Sequence, residues 1–275
     1  MSTSNLAIFN KKINDTRTQN YLQEVLKDKK ESFVTSLVSV VANNTALQAC
    51  EPLTIMYAAM KATALSLPID PNLGFAYVIP YKNKGVDEAQ FQLGYKGFIQ
   101  LAMRSGQFQS INADAVYEGE ISRRDKKSGD IELEGERISD KVVGYFAYFK
   151  LLNGFEKTLY MTVDEVKAHA NRFSQTAKRG YGLWNDKEAF DAMARKTVMK
   201  MLLSKFAPMS IESIQSAVKA DQAVYRTEDM VEDYVDNQQG PDEQMAAEIV
   251  AKAEESKKKV AKAMEVNAEE IFPEE

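Results

Sequence analysis

Basic and aromatic side chains are interspersed between residues 81 and 104, and these residue types can bind phosphates and stack on bases. Lysine and arginine neutralise phosphates and release counterions, whereas aromatic faces stack unpaired bases without selecting a sequence. Tyr95 and Lys96 lie between two glycines at a predicted helix start, where a second backbone can approach closely and free N–H groups can bind a phosphate. The segment therefore predicts nucleic-acid binding, unless Tyr95 and Lys96 serve only the turn and the phenylalanines only the core. Its basic and aromatic members are Tyr81, Lys82, Lys84, Phe91, Tyr95, Lys96, Phe98 and Arg104.

A second basic segment lies between residues 163 and 205, with nine lysines and arginines against five acidic residues. On its long predicted helix, Lys196 and Lys200 are one turn apart and about 40° apart in azimuth, and Arg195 is about 100° from Lys196. These cations could line one rim of a groove or cover a solvated helix face. Trp184 could stack a base or anchor its loop on the core. A further exposed basic tip is predicted at Arg123, Arg124, Lys126 and Lys127.

Most catalytic chemistry has no support in the sequence. Neither of the phosphate-binding motifs GxxxxGK[ST] and GxGxxG occurs, so ATP-driven work is not expected. The chain has one histidine, His169, and one cysteine, Cys50, which leaves no residues for a histidine-rich metal site. Cys50 lies in an apolar stretch and is expected to be a buried small hydrophobe. We therefore expect no enzymatic activity, no cofactor and no metal.

A metal-dependent nuclease is the enzymatic alternative. Glu165 and Lys167 form an E-x-K that could supply a metal ligand and a lysine, with Asp70 or Asp140 as a second carboxylate. However, Thr162-Val-Asp-Glu165 also matches a capping box, in which the glutamate closes the start of a helix. That pattern places Glu165 on a helix and not on the strand that this class of nuclease uses.

The elements that position these residues follow from hydrophobic spacing and from glycine and proline breakers. Apolar residues at helical spacing extend over residues 16–68. The runs FAYVIPY and AQFQLGY predict a β-hairpin, and KGFIQLAMRSG predicts a helix that stops at its glycine. Strands are then predicted at FQSINADAVYEG, VVGYFAYFKLL and FEKTLYM, and helices at residues 162–172, 186–206 and 211–220. The predicted fold class is α+β, with a small antiparallel sheet and hairpins packed by helices after an N-terminal helical subdomain.

The net charge of −5 conceals two parts of opposite sign, because residues 221–275 carry −10 and the remainder carries +5. We expect a flexible N-terminus at residues 1–15, and a nucleic-acid-binding core at residues 16–220, of which 16–68 is the helical subdomain. Residues 221–275 are expected to form an acidic linker and a small helical module that binds partners. No apolar run is long enough to span a bilayer and no signal peptide is evident, so a cytoplasmic protein without a membrane partner is expected.

Three sequence blocks carry a resemblance to a known family. The blocks DPNLGFAYVIPYKNK, QFQLGYKGFIQLAMRSG with INADAVYEGE, and FDAMARKTVMKMLL resemble the RecT family of phage single-strand annealing recombinases, over roughly residues 20–220. The resemblance implies ATP-independent binding of single-stranded DNA, pairing with its complement, and retention of the annealed duplex on an oligomeric ring or helical filament. It therefore implies that residues 16–220 are the DNA-binding, annealing and oligomerisation core. It also implies a phage exonuclease as a partner, and a variable C-terminal region that contacts partners such as the host single-strand-binding protein.

Both lines of reasoning lead to the hypothesis of a basic groove that holds one strand while a second tests complementarity by base pairing. A structural oligomer whose basic patches merely contact nucleic acid is the third alternative, beside the nuclease. The residues expected to contact DNA are Lys82, Lys84, Gln92, Tyr95, Lys96, Arg104, Arg123, Arg124, Arg172, Lys178, Arg179, Trp184, Arg195, Lys196, Lys200 and Lys205.

Overall fold

The structure is a computed structural model of the 275-residue chain. It describes residues 4–83, 85–180, 182–208, 211–225 and 232–233. These residues all belong to one compact unit, which extends to Asp236. Most of the predicted C-terminal module lies outside the described residues.

Helices form the N-terminal part of the fold. Within the N-terminal segment that the sequence predicts to be flexible, residues 5–13 form a helix whose Phe9 and Ile13 are buried in the core. Ser4 caps this helix by accepting from the Ala7 N–H, and the two buried residues are spaced by one helical turn. The helices are α1 (Asn5–Ile13), α2 (Thr16–Leu26), α3 (Lys30–Ala42), α4 (Thr45–Gln48) and α5 (Pro52–Ala64), with a 3-10 turn at Lys27–Lys29.

The helix α5 is buried on nearly every side, as its almost wholly apolar sequence predicts. Pro52 occupies its first turn, where the missing N–H costs nothing, and the side chain of Glu51 caps it. The hydroxyl of Thr54 accepts a 2.8 Å hydrogen bond from the backbone N–H of Ala89, which joins α5 to the adjacent β-hairpin.

Two antiparallel sheets supply the β part of the fold. The predicted hairpin is present as β1 (Ala76–Asn83) and β2 (Val86–Leu93), paired from Ala76 opposite Leu93. The larger sheet has the strand order β3-β6-β7, formed by β3 (Phe108–Tyr117), β6 (Val142–Leu151) and β7 (Glu156–Thr162). Between β3 and β6 a small hairpin, β4 (Arg123–Arg124) with β5 (Ile131–Glu132), carries the predicted basic tip.

The remaining helices pack against the two sheets and against one another. They are α6 (Tyr95–Arg104), α7 (Val163–Phe173), α8 (Gln175–Lys178), α9 (Lys187–Phe206) and α10 (Glu212–Ala220), and a short pair of strands follows, β8 (Val224–Tyr225) and β9 (Glu232–Asp233). The helix α9 packs against β3, β6 and β7 on one side and against α6 on another. The predicted α+β class is therefore confirmed. Among the described residues, no helix is long and apolar enough to cross a membrane.

Candidate nucleic-acid interface

The first turn of α6 is held close to the loop before β1 by two glycines. Gly94 precedes the helix, and its N–H donates a 2.9 Å hydrogen bond to the carbonyl of Phe75. A β-carbon on Gly94 would lie 2.1 Å from the carbonyl oxygen of Gly74, and one on Gly97 would lie 2.2 Å from that of Phe75. The close backbone approach that glycine permits here is therefore an approach of the chain to itself.

Tyr95 and Lys96 begin α6, with Tyr95 half-buried and Lys96 exposed. Lys96 makes no ion pair with any described residue. A β-carbon placed on Gly74 would lie 3.4 Å from Cδ of Lys96 and 3.2 Å from the hydroxyl oxygen of Tyr77, so these side chains flank the same glycine. Burial raises the pKa of Tyr77, and the neighbouring Tyr95 adds to the rise. The turn thus places two half-buried tyrosines beside one exposed lysine.

Tyr77 is a neighbour that the sequence analysis did not include among the candidates. A signal for it exists, because Ala76 and Val78 on either side are buried, and strand alternation turns Tyr77 to the other face.

The other described candidates of residues 81–104 have partners within the protein. Lys82 forms an exposed ion pair with Asp87 at 3.7 Å. The side-chain amide of Gln92 lies 3.8 Å from the sulfur of Met193 on α9. Arg104 donates to the carbonyl oxygens of Leu65 at 3.2 Å and Ser66 at 3.0 Å, so it fixes the end of α5 to the end of α6. Lys84 lies outside the described residues.

The basic tip at β4 is bound to the larger sheet. Arg123 pairs with Glu132 across the small hairpin at 3.4 Å, and the guanidinium of Arg124 lies 5.4 Å from the ring centre of Tyr160 on β7. Lys157 of β7 donates to the carbonyl of Ser128 in the turn of the hairpin. These contacts give the tip a defined position beside β7.

Three candidates near α8 and α9 are exposed cations without an ion-pair partner among the described residues, namely Lys178, Arg179 and Lys205. Arg172 is also exposed and lies over the ring of Phe173 at 5.3 Å. Trp184 packs edge-on against Phe190 at 5.8 Å between ring centres and contacts the core. The anchoring interpretation of Trp184 thus accounts for its position.

Arg195 faces acidic residues. Its guanidinium pairs with Asp114 of β3 at 3.1 Å and with Asp191 one turn earlier at 2.8 Å. Its Nε is buried and has no hydrogen-bond partner among the described residues. In this arrangement Arg195 joins α9 to the larger sheet.

Lys196 and Lys200 meet at one buried carboxylate, that of Asp221. Their ammonium nitrogens lie 2.8 Å and 2.9 Å from its two oxygens. Only 7% of the Lys196 side chain is exposed, against 20% for Lys200. Burial, with the charge of Lys200, outweighs the attraction of Asp221 and lowers the pKa of Lys196 to about 8. A phosphate contact by Lys196 would therefore require its side chain to become more exposed, and that contact stays a prediction.

Asp221, which binds two of the candidate lysines, is a residue that sequence reasoning missed. It falls one residue beyond the predicted core boundary at 220 and was counted with the acidic tail, but it is fully buried, as are Ala223 and Val224. Burial alone would raise its pKa, and the charges of Lys196 and Lys200 reverse the direction and lower it. An isolated aspartate after a helix carries no periodic signal that would have linked it to lysines 21 and 25 residues earlier.

The carboxylates of the nuclease alternative have structural roles. Glu165 and Thr162 form the predicted capping box, since each side chain binds the backbone N–H of the other. Asp70 accepts from Asn72 within a turn, and Asp140 pairs with Arg137 at 2.7 Å. Within the described part of the chain, no three His, Cys, Asp or Glu side chains form a group that could hold a metal ion.

Comparison with known proteins identifies the family. The sequence model of the RecT family matches residues 31–241, which is most of the chain. The chain therefore belongs to the RecT family. It is 44% identical over 201 residues to the "Uncharacterized protein YqaK" of Bacillus subtilis (strain 168), an alignment that covers 73% of this chain and 67% of that protein. It is 32% identical over 185 residues to the protein RecT of Escherichia coli (strain K12). That alignment covers 64% of this chain and 65% of the Escherichia coli protein, just under two thirds of its length.

Membership of the RecT family confirms the resemblance carried by the three sequence blocks. It supports a role in single-strand annealing during DNA recombination, with binding of single-stranded DNA. The structure brings together residues from both predicted basic segments, because Gln92 of β2 contacts α9 and the two lysines of α9 meet Asp221 beside Leu93.

Proposed function

We propose that this RecT-family protein anneals complementary DNA strands without ATP, and that the first turn of α6 is part of its strand-binding surface. The observation that carries this proposal is the exposed Lys96, which has no ion-pair partner among the described residues and stands beside Tyr95 and Tyr77. An unpaired ammonium group can neutralise a phosphate, and a tyrosine face can stack a base of any sequence.

The other exposed cations among the candidate residues extend this surface in our proposal. Lys178, Arg179, Lys205 and Arg172 are exposed, and the first three have no acidic partner in the described residues. Arg123, Arg124 and Lys82 are exposed but already paired, so they would exchange or share a partner on binding. Charge and stacking suffice because the sequence is read by base pairing between the strands and not by the protein.

Annealing of this kind needs no nucleotide hydrolysis. Duplex formation is downhill once the repulsion between two strands is reduced, and the sequence contains no phosphate-cradling motif for ATP. One protomer can contact only a few nucleotides, so we propose that neighbouring copies form an oligomer that raises the effective concentration of the strands. We also propose that a phage exonuclease supplies the single strands, and that the acidic segment after residue 225 contacts partners such as a host single-strand-binding protein.

The direct test mixes two complementary strands carrying a donor and an acceptor fluorophore with the protein, in EDTA and without ATP. We expect duplex to form faster than in the absence of protein, most strongly at low ionic strength because binding depends on counterion release. A structural oligomer that only contacts DNA would leave the rate unchanged. A nuclease would shorten labelled strands after magnesium is added, and either of these results would contradict the proposal.

A further inference from the structure

The Asp221 cluster, formed by Asp221, Lys196, Lys200 and the backbone N–H of Leu93, joins three separate parts of the fold. Oδ1 of Asp221 accepts from Nζ of Lys196 and from the N–H of Leu93, both at 2.8 Å, and Oδ2 accepts from Nζ of Lys200 at 2.9 Å. Leu93 is the last residue of β2 and directly precedes Gly94 and the first turn of α6. One buried carboxylate therefore connects α9, the end of the hairpin and the chain after α10.

The residues after Asp221 continue along the edge of β2. The N–H of Gln222 donates to the carbonyl of Phe91 at 2.9 Å, and the N–H of Phe91 donates to the carbonyl of Ala223 at 3.2 Å. The side-chain amide of Gln90 donates to the carbonyl of Gln222. These bonds dock residues 221–223 on the strand that leads into the candidate strand-binding turn.

We propose that Asp221 is a positioning residue for DNA binding, which holds the turn at Tyr95 and Lys96 in place through the backbone N–H of Leu93. This inference rests on the proposed function of that turn. Docking of residues 221–223 on β2 then determines how well the turn accepts a single DNA strand, although none of these residues needs to contact DNA.

The local geometry explains why the turn depends on this support. Gly94 provides no side-chain cap for α6, and its own backbone is the most flexible of any residue type. The turn is fixed on one side by the bond from Gly94 to Phe75 and on the other side by the bond from Leu93 to Asp221. Bonds to a charged acceptor are short and directional, and two lysines orient this carboxylate. Loss of the carboxylate would remove the bond at Leu93 and leave the bond from Gly94 to Phe75 as the nearest hydrogen bond that fixes this glycine-flanked turn to the rest of the fold.

The test compares two substitutions in the full-length chain. Asp221→Asn removes the charge but keeps an oxygen that can accept from Leu93, whereas Asp221→Ala removes both. Hydrogen exchange by mass spectrometry reports on a peptide covering residues 91–98, and fluorescence anisotropy reports affinity for labelled oligo(dT). We expect exchange in this peptide to rise from wild type to Asp221→Asn to Asp221→Ala. For Asp221→Ala we expect affinity to fall about tenfold, the size of one lost base stack.

Two further variants keep the test decisive. Gln90→Met removes the amide that binds Gln222 but keeps a side chain of similar size, so it loosens residues 221–223 even if the Asp221 variants fail to fold. We expect it to raise exchange at residues 91–98 and to weaken oligo(dT) binding to a smaller extent. Val198→Ala is the matched control, because Val198 is buried on α9 and its side chain lies about 160° around the helix from those of Lys196 and Lys200. This substitution should lower the melting temperature. At temperatures below the melting transition it should leave the affinity for oligo(dT) unchanged.

Each outcome decides between distinct conclusions. Unchanged exchange at residues 91–98 in both Asp221→Ala and Gln90→Met would overturn the support of the turn by Asp221. Raised exchange with unchanged affinity for oligo(dT) in these variants would also overturn the proposal. If Lys96→Ala then also leaves this affinity unchanged, the proposed DNA-binding function of the turn is wrong. If Val198→Ala loses as much affinity as an Asp221 variant of equal melting temperature, Asp221 acts only through overall stability.

Discussion

The backbones at Gly94 and Gly74 approach so closely that a β-carbon on Gly94 would lie 2.1 Å from the carbonyl oxygen of Gly74. Both glycines belong to the packing between the loop before β1 and the start of α6. No side chain can be added at Gly94 without moving one of these backbones.

Gly94→Ala is therefore expected to destabilise the protein by about 1–3 kcal/mol, the usual cost of forcing an extra carbon into a packed site. The displaced turn should also weaken oligo(dT) binding, because Tyr95 and Lys96 directly follow. Urea unfolding at constant pH measures the first effect, and fluorescence anisotropy measures the second.

Gly154→Ala is the control for this substitution. A β-carbon at Gly154 meets nothing within 4 Å, and its φ of +88° costs a non-glycine residue roughly 1–2 kcal/mol for the left-handed conformation alone. It should lose stability without losing affinity for oligo(dT). Equal affinities of the two variants would show that the approach of Gly94 to Gly74 does not position the turn.

The same region shows which features the sequence could predict. Strand-forming runs predict the β-hairpin, and helical spacing between glycines predicts where α6 starts and where it stops before Gly106. All of these signals act over a few residues. The capping box at Thr162 and Glu165 is equally local, and the structure has it as predicted.

Long-range charge pairing could not be predicted in this way. The helical wheel correctly places Lys196 and Lys200 on one side of α9, but it cannot say whether that side meets DNA or a carboxylate. Asp221 reaches them because α10 returns the chain to β2, a consequence of tertiary packing. The same limitation applies to Arg195, whose partner Asp114 lies on β3.

Lys96→Ala should reduce the dependence of single-strand binding on salt. If Lys96 contacts one phosphate, its loss lowers the slope of log K against log[salt] by about 0.7 for single strands. Anisotropy titrations with oligo(dT) at several salt concentrations measure this slope. Arg104→Ala is the control on the same helix, because Arg104 donates to two backbone carbonyls and should change stability more than slope. Equal slopes for wild type and Lys96→Ala would remove Lys96 from the interface.

The buried Lys196 predicts a specific dependence of stability on pH. Burial lowers its pKa from 10.5 to about 8 in the folded protein, whereas the unfolded chain should titrate near its ordinary value. Between these values the unfolded state binds more protons at this position, so the free energy of unfolding contributed by Lys196 rises as the pH increases. The stability difference between wild type and Lys196→Met should therefore shift in favour of wild type from pH 7 to pH 10. Urea titrations of both proteins at several pH values measure this difference in the free energy of unfolding. A difference that does not change with pH would contradict a lowered pKa of Lys196.

Cys50 is expected to be unreactive in the folded protein. It is 4% exposed, its Sγ donates to the carbonyls of Glu88 and Ala46, and burial raises its pKa to about 11. Because only the thiolate attacks a disulfide reagent, modification by DTNB at pH 8 should be slower than in the urea-unfolded chain by about 100-fold or more. Absorbance at the thionitrobenzoate band follows the reaction, and equal rates in the two states would contradict burial of the thiol. Cys50→Ala should preserve annealing, since the thiol lies at the α4–α5 junction and not at the α6 turn.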